Sequence, residues 1–256
     1  MQNILFTICG RAGSKGIKNK NIRNFCGFPL PYYTLSAIDL FIKRHPEYKY
    51  QLVLNTDSYE LIDLVNKNKM QPVSVINRTP ELSGDFVGKV DVIRDCLERM
   101  ENKCNIKFDI VVDCDITSPL RTVNDIENLL AVHFGKNPDV TTSVTPARRN
   151  PYFNQVMKTE KGVKKVISSN YTARQQAPEI FDMNASLYAY SPEFLHSGKG
   201  VLDCYCEVIE MYDTAVLDLD HDNDFELMEV IAKHLFSSKD KFKEISYNIK
   251  FCESTS

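Results

Sequence analysis

Residues Asn3 to Asn21 read NILFTICGRAGSKGIKNKN. The first seven are an apolar, β-prone run of buried-strand character, and glycines and cations begin directly behind it. In an open α/β sheet, ligands collect at the carboxyl ends of strands, where small residues let backbone N–H groups approach phosphate oxygens. Arg11, Lys15 and Lys20 add positive charge there, and no carboxylate precedes Asp39. The glycines at 10, 13 and 16, with Gly16 directly after Lys15, match neither GxGxxG nor GxxxxGK[ST], so dinucleotide and P-loop chemistry lose support. A solvated basic loop is the plain alternative; five cations with no acid on a strand-to-helix turn favour an anion site.

Outward from this segment, short β-rich runs trade places with helical patterns, the signature of βαβ units and a mostly parallel sheet. Expected strands are Asn3–Cys9, Tyr50–Thr56, Val73–Asn77 and Phe108–Cys114. Expected helices are Leu30–Arg44, Ser58–Asn68, Asp85–Met100 and Thr122–Phe134, the last capped by Thr122. From Val140 to Asp182 the alternation fails around a hairpin through Val156–Ile167. About 40 residues rarely fold alone, so this reads as an excursion (140–182) from a core formed by 1–139 and 183–256. Alternation resumes at Ser186–Tyr190, and a strand Ala215–Asp220 feeds a helix His221–Phe236.

Composition sets limits. The chain has 256 residues, 43% of them hydrophobic and 25% charged, as in a soluble globular enzyme. Its formal charge of −3 argues against a cationic nucleic-acid surface. That sum conceals a segregation, because Arg11, Lys15, Lys18, Lys20 and Arg23 make Met1–Ile38 +5 and the rest −8. The eight cysteines form no CxxC pair or zinc spacing, which suits reduced thiols in a cytoplasmic enzyme. No basic leader or membrane-length apolar run is expected. The five histidines show no triad-like spacing and read mostly as surface residues.

Two acidic patterns carry further chemistry. FDIVVDCDITSPLR, Phe108 to Arg121, ends a strand with Asp113 and Asp115 on one face, fit either for a metal or substrate hydroxyl or for anchoring the loop. VLDLDHDNDFELMEV, Val216 to Val230, places Asp218 and Asp220 opposite Leu217 and Leu219. Mg²⁺ takes such hard oxygen donors beside phosphate, and a half-exposed edge strand has the same pattern. Asp222 and Asp224 read as cap and first-turn acids of the next helix. A weaker set is Arg174-Gln175-Gln176 with Asn184–Tyr188, where an Arg could grip a carboxylate or face solvent on a surface hairpin.

In their order along the chain these segments resemble the acylneuraminate cytidylyltransferase family, the CMP-sialic acid synthetases and their bacterial relatives. GRAGSKGIKNKNI resembles the family's ARxxSKGxxxKN signature, DITSPLR its QPTSPLR, and LDLDHDNDFELME its IDIDxxxDxxxAE. Asn55-Thr56-Asp57 is similar to its STD strand end, Arg78 with Glu81-Leu82 to its RPxxL, and ARQQAPEIFDMNASLY, Ala173–Tyr188, to its RQxxPxxFRxNGAIY. The resemblance implies a three-layer, Rossmann-like nucleotide-diphospho-sugar transferase fold with a mainly parallel sheet and a small dimerisation arm. It implies transfer of CMP from CTP to a 2-keto nonulosonic acid in a cytoplasmic homodimer. Arg11, Lys15 and Lys20 would hold the triphosphate at the catalytic centre, with Gly13, Ser14, Asn21 and Arg78 around the nucleotide. Arg174, Gln175 and Tyr188 would line the sugar pocket, and Asp218 and Asp220 would hold Mg²⁺.

Three departures stand out. Asp115 replaces the family's Gln, either as a further metal ligand, as in the Kdo-activating enzymes, or as a contact to a sugar hydroxyl. Asp182 and Ala185 replace the Arg and Gly of FRxNG, changing charge near the substrate. The paired phenylalanines of some sialate enzymes have no counterpart. Legionaminate or another nonulosonate is thus as fitting an acceptor as N-acetylneuraminate, with Kdo an alternative. The rival class is a metal-dependent glycosyltransferase of GT-A-like fold gripping a nucleotide sugar with Asp113-x-Asp115.

Overall fold

The computed structural model describes residues 1–13, 17, 19–84, 87–213, 219 and 221–254. Seven strands form the central sheet in the order β11-β7-β10-β6-β1-β4-β5. They are β1 (Asn3–Cys9), β4 (Lys49–Thr56), β5 (Ser74–Asn77), β6 (Ile110–Cys114), β7 (Val140–Pro146), β10 (Phe181–Tyr190) and β11 (Cys206–Glu210). β1 runs parallel to β4 and β6, β4 to β5, and β11 to β7, while β10 is antiparallel to both β6 and β7. The carboxyl ends of β1, β4, β5, β6 and β7 therefore share one edge. The chain order turns outward in both directions from β1 and β6, the switch point where open α/β sheets leave a crevice.

Period-two alternation divides the sheet between two cores. Ile4, Phe6 and Ile8 of β1, with Leu52, Leu54, Ile110 and Val112, face a cluster built with α1 (Pro31–Arg44), α2 (Tyr59–Asn66), α4 (Val123–Lys136), α6 (Asp222–Ser238) and α7 (Asp240–Ser254). Leu5, Val53 and Val111 face the opposite cluster, with α3 (Lys89–Cys104) and α5 (Pro192–Ser197). The result is three layers. Thr122 caps α4 as expected, accepting from Asp125 N while Asp125 accepts from Thr122 N.

The sequence boundaries shift at three places. α3 runs from Lys89 to Cys104, later than expected at both ends, because extended Gly88 forms its N-cap and left-handed Asn105 (φ 52°) closes it. β7 begins at Val140 and pairs inside the sheet, so the chain leaves the sheet after Pro146, seven residues beyond the expected point. Buried Val140, Thr141, Thr142 and Ser143 carry no clean alternation because both faces of β7 are covered. The hairpin is present as β8 (Val156–Thr159) and β9 (Gly162–Lys165). The strand expected at Ala215–Asp220 lies outside the described residues except for Leu219, which is fully buried. The short hairpin β2 (Asn24–Phe25) and β3 (Phe28–Pro29), together with α5, β11 and α7, has no counterpart in the sequence reading.

Candidate functional site

The exit of β1 is shaped by a residue without a side chain. A Cβ on Gly10 would stand 2.8 Å from Leu61 Cδ2 and 2.9 Å from Ile116 Cδ1, so the chain passes close against α2 and the β6 loop only as glycine. Gly10 N donates to Asn55 O at 3.1 Å, Ala12 N donates to Asp57 Oδ1 at 2.7 Å, and left-handed Gly13 (φ 72°) turns the chain. Asn21 Nδ2 then closes back onto Arg11 O at 3.2 Å. Arg11, Gly13, Asn19 and Asn21 line a cavity of about 160 Å³ with Ser58 and Glu60. Lys20 follows on a single 3₁₀ turn, Lys20–Ile22. Ser14, Lys15 and Lys18 lie outside the described residues.

Arg78 is planted at the same edge. Its backbone N donates to Thr56 O at 2.9 Å, its Nε to Asn55 Oδ1 at 2.7 Å and its Nη2 to Asn55 O at 3.2 Å. The Asn55 carbonyl thus serves Gly10 and Arg78 together, coupling the basic loop to the end of β5.

At the end of β6 the chemistry reverses sign. Asp113 is fully buried, its Oδ1 accepts from the Thr7 hydroxyl at 2.8 Å, and Oδ2 lies 2.7 Å from Lys89 Nζ in an ion pair off the ideal hydrogen-bond angle. The same ammonium donates to Asp115 Oδ2 at 2.7 Å. Asp115 Oδ1 accepts from Thr117 N at 2.8 Å and Thr117 Oγ1 at 2.7 Å. Burial alone would raise the Asp115 pKa, but the ammonium and the Thr117 bonds overcome it and hold the carboxyl at about 2. Lys89 is desolvated too, yet the two carboxylates push its pKa well above the usual lysine value. The sequence pattern did not single out Lys89; only the fold brings the start of α3 over the end of β6. The expected metal or sugar role of Asp115 therefore meets a neighbour already in place, and so does the glycosyltransferase reading, which needs both acids to grip a cation.

Arg121 fixes this loop from below. It is 1% exposed and donates from Nη1 to Thr34 Oγ1 (3.2 Å) and from Nη2 to Asp115 O (3.0 Å), Ser186 O (2.5 Å) and Ser186 Oγ (3.2 Å). Ser186 belongs to a register shift in β10 between Met183 and Tyr188. Left-handed Ala185 (φ 52°) forms this bulge where the resembled motif has Gly. Buried Asn184 accepts from the Ser143 hydroxyl at 2.6 Å, and its Nδ2 has no acceptor among the described residues. Tyr188 pairs across from Asp113, stacks on Tyr190 at 5.6 Å, and its phenol pKa is raised by burial.

Arg174 and Gln175 stand apart. They line a separate cavity of about 330 Å³ with Asn150 and Glu179, and Arg174 Nη2 donates to Ala147 O at 2.9 Å. This cavity shares no lining residue with the one beside Arg11. The arm that carries it leaves the sheet at Pro146, on the carboxyl edge. His196, His221 and His234 are exposed, as expected of most histidines; His133 is the buried exception, with its Nδ1 2.9 Å from Thr141 Oγ1 and its pKa lowered by burial to about 4. Asp222 and Asp224 fall in the first turn of α6 as expected, with Asp224 accepting from His221 N. Among the described residues no cluster of three or more His, Cys, Asp or Glu is placed to hold a metal; Asp218 and Asp220 lie outside them. Nor is any described helix long and apolar enough to cross a membrane.

A mainly parallel sheet whose adjacent strands β1 and β6 end, at one edge, in a loop of basic sequence and a carboxylate pair has the layout of a nucleotide-handling α/β enzyme. The sequence profile described as "Cytidylyltransferase" matches residues 5–239, and the chain belongs to that family. It is 34% identical over 233 residues to "Post-translational flagellin modification protein B" of Campylobacter coli, covering 91% of this chain and 96% of that one. It is 33% identical over 242 residues to "CMP-N,N'-diacetyllegionaminic acid synthase" of Campylobacter jejuni, covering 94% and 100%. An N-acylneuraminate cytidylyltransferase of Streptococcus agalactiae is 26% identical over 90% of this chain and 52% of its own. Among solved structures, CMP:2-keto-3-deoxy-manno-octonic acid synthetase complexed with CTP matches with a TM-score of 0.65 at 13% identity, over 91% of this chain and 99% of that one. A 4-diphosphocytidyl-2C-methyl-D-erythritol synthase from Anaerococcus prevotii matches at 0.58, likewise at 13%, over 91% and 96%. At these identities the structural likeness speaks for the fold alone.

Proposed function

We propose that this cytidylyltransferase transfers CMP from CTP to the anomeric hydroxyl of a 2-keto nonulosonic acid of the legionaminic or sialic type, releasing pyrophosphate. The observation that carries the reading is the end-to-end similarity to the Campylobacter jejuni enzyme named for N,N'-diacetyllegionaminic acid. The hydroxyl oxygen bonds to the α-phosphorus in line as the bond to the β-phosphate oxygen breaks, and no covalent protein nucleophile is needed. Arg11, Lys15 and Lys20 hold the triphosphate and stabilise charge developing on the departing pyrophosphate. The backbone around Gly13 and Ser14 approaches the phosphates, and Asn21 and Arg78 contact the nucleotide. Arg78 is pre-oriented for this by its two bonds to Asn55. Tyr188 is assigned to the sugar pocket, and Arg174 and Gln175, which line a separate cavity in this chain, would join it only through movement of the arm. Asp218 and Asp220, hard oxygen donors two residues apart, would hold Mg²⁺, which would supply charge neutralisation for the phosphates.

The arm exposes Val156, Met157, Val163, Val166 and Ile167, and a second copy covering these apolar side chains makes the enzyme a homodimer. Dependence on CTP places it in the cytoplasm. The deciding experiment measures pyrophosphate released from CTP with Mg²⁺ and a panel of nonulosonic acids, with Kdo and other nucleoside triphosphates as controls. Release with CTP and a legionaminic or sialic acid is expected; a folded enzyme releasing none with any sugar overturns the reading.

A further inference from the structure

Asp113 and Asp115 sit two residues apart at the carboxyl end of β6, an arrangement suited to a hard cation, yet the chain itself fills the space between them. Lys89 Nζ lies 2.7 Å from Asp113 Oδ2 and 2.7 Å from Asp115 Oδ2. The other two oxygens are taken as well, Asp113 Oδ1 by the Thr7 hydroxyl and Asp115 Oδ1 by Thr117 N and Oγ1. Three of the four carboxylate oxygens accept hydrogen bonds and the fourth, Asp113 Oδ2, has only its ion-pair contact with Lys89, and the ammonium cancels one of the two negative charges. Lys89 is the first residue of α3, where the helix dipole opposes a cation; the two carboxylates account for its placement and the dipole does not. A divalent ion would have to expel the ammonium from a pair whose inner member is fully buried.

We propose that Lys89 is the resident cation of this site: it takes the position of a metal ion between Asp113 and Asp115, and Asp115 serves as an oxygen acceptor rather than a metal ligand. The proposal rests on the cytidylyl-transfer reading only in setting Asp115 beside the substrate. Its test counts Mn²⁺ bound per chain by electron paramagnetic resonance, on the full chain with CTP and no sugar. Lys89→Gln is expected to bind one more Mn²⁺ than the parent, and Lys89→Gln with Asp115→Asn is expected to return to the parent count. A parent-like count in Lys89→Gln overturns the proposal. Should that variant not fold, Asp115→Asn alone decides: an unchanged Mn²⁺ count and affinity supports the proposal, whereas loss of an ion or about tenfold weaker binding overturns it. Pyrophosphate release plays no part in this count, so either reading can fail while the other stands.

Discussion

The two sides of the switch point are built on opposite principles. Among the described residues, the basic loop after β1 is tied by Gly10 N to Asn55, Ala12 N to Asp57 and Asn21 back to Arg11, and each of these ties uses a backbone group. The loop after β6 is over-determined: Asp113, Asp115, Thr117 and Arg121 meet Thr7, Thr34, Lys89 and Ser186 through charged or short hydrogen bonds. A loop that must admit a polyphosphate is tied through its backbone, whereas a loop that must present one oxygen spends its own polar groups on fixing it.

That contrast breaks most visibly at Arg121. Arg121→Met removes the charged donor shared by Asp115 O and Ser186 O, leaving them only the Thr34 hydroxyl and Asp115 N, and a stability loss of about 3 kcal/mol is expected. In a chain this long that is a Tm fall of roughly 6–12 °C, read by differential scanning calorimetry. A fall under about 2 °C would show that the β6 loop is no more tightly held than the β1 loop.

Acid provides the second probe. Because the folded Asp115 pKa of about 2 lies below its ordinary 3.8, its contribution is present above pH 4 and lost as pH falls towards 2. Its full size is about 2 kcal/mol, of which about 1 kcal/mol is gone by pH 3. Lys89, shifted upward, loses its share only on the alkaline side, above the ordinary lysine range. Urea unfolding of the parent and Asp115→Asn from pH 6 to 3 should converge by that amount. Parallel curves would place the acid sensitivity elsewhere.

On the basic side the informative change is Asp57→Ala, which frees Ala12 N. Losing this tie should disorder the loop without unfolding the protein, raising the KM for CTP about tenfold while Tm moves by less than about 2 °C. An unchanged KM would mean that the loop is positioned by something other than the end of β4.

The two sides also differ in how far the sequence discloses them. β1, β4 and β6 are continuous apolar runs ending in punctuation, and Thr122 and Asp125 spell out a helix start, so their places follow from neighbours in the chain. Gly10, Arg11 and Asn21 lie within twelve residues of each other and could be grouped by reading. Lys89 and Arg121 could not: each acts on groups that only sheet order brings near, Lys89 on residues 24 and 26 positions later and Arg121 on Thr34 and Ser186. β7 escaped because a strand covered on both faces loses its period. α7 escaped because its place is set by contacts with the far end of the chain, Ser36 to Ile245 O and Asn248 to Asp39.

The smallest effect tests whether the bulge in β10 belongs to the over-determined side. Ala185 occupies a left-handed conformation (φ 52°), costing an L-residue about 1 kcal/mol. Glycine removes that strain but gives back about 0.4–1 kcal/mol through the greater freedom of its unfolded chain. Ala185→Gly should therefore stabilise by no more than about 0.5 kcal/mol and leave the KM for the sugar unchanged, because Ser143, Asn184 and Arg121 hold the bulge from within. Ala185→Val, which adds β-branching where φ is positive, should cost 1 kcal/mol or more by comparison, about 2–4 °C in Tm. If glycine instead raised the sugar KM severalfold, the Cβ of Ala185 would be a contact of the site, and the bulge would belong with the loop that waits for its ligand.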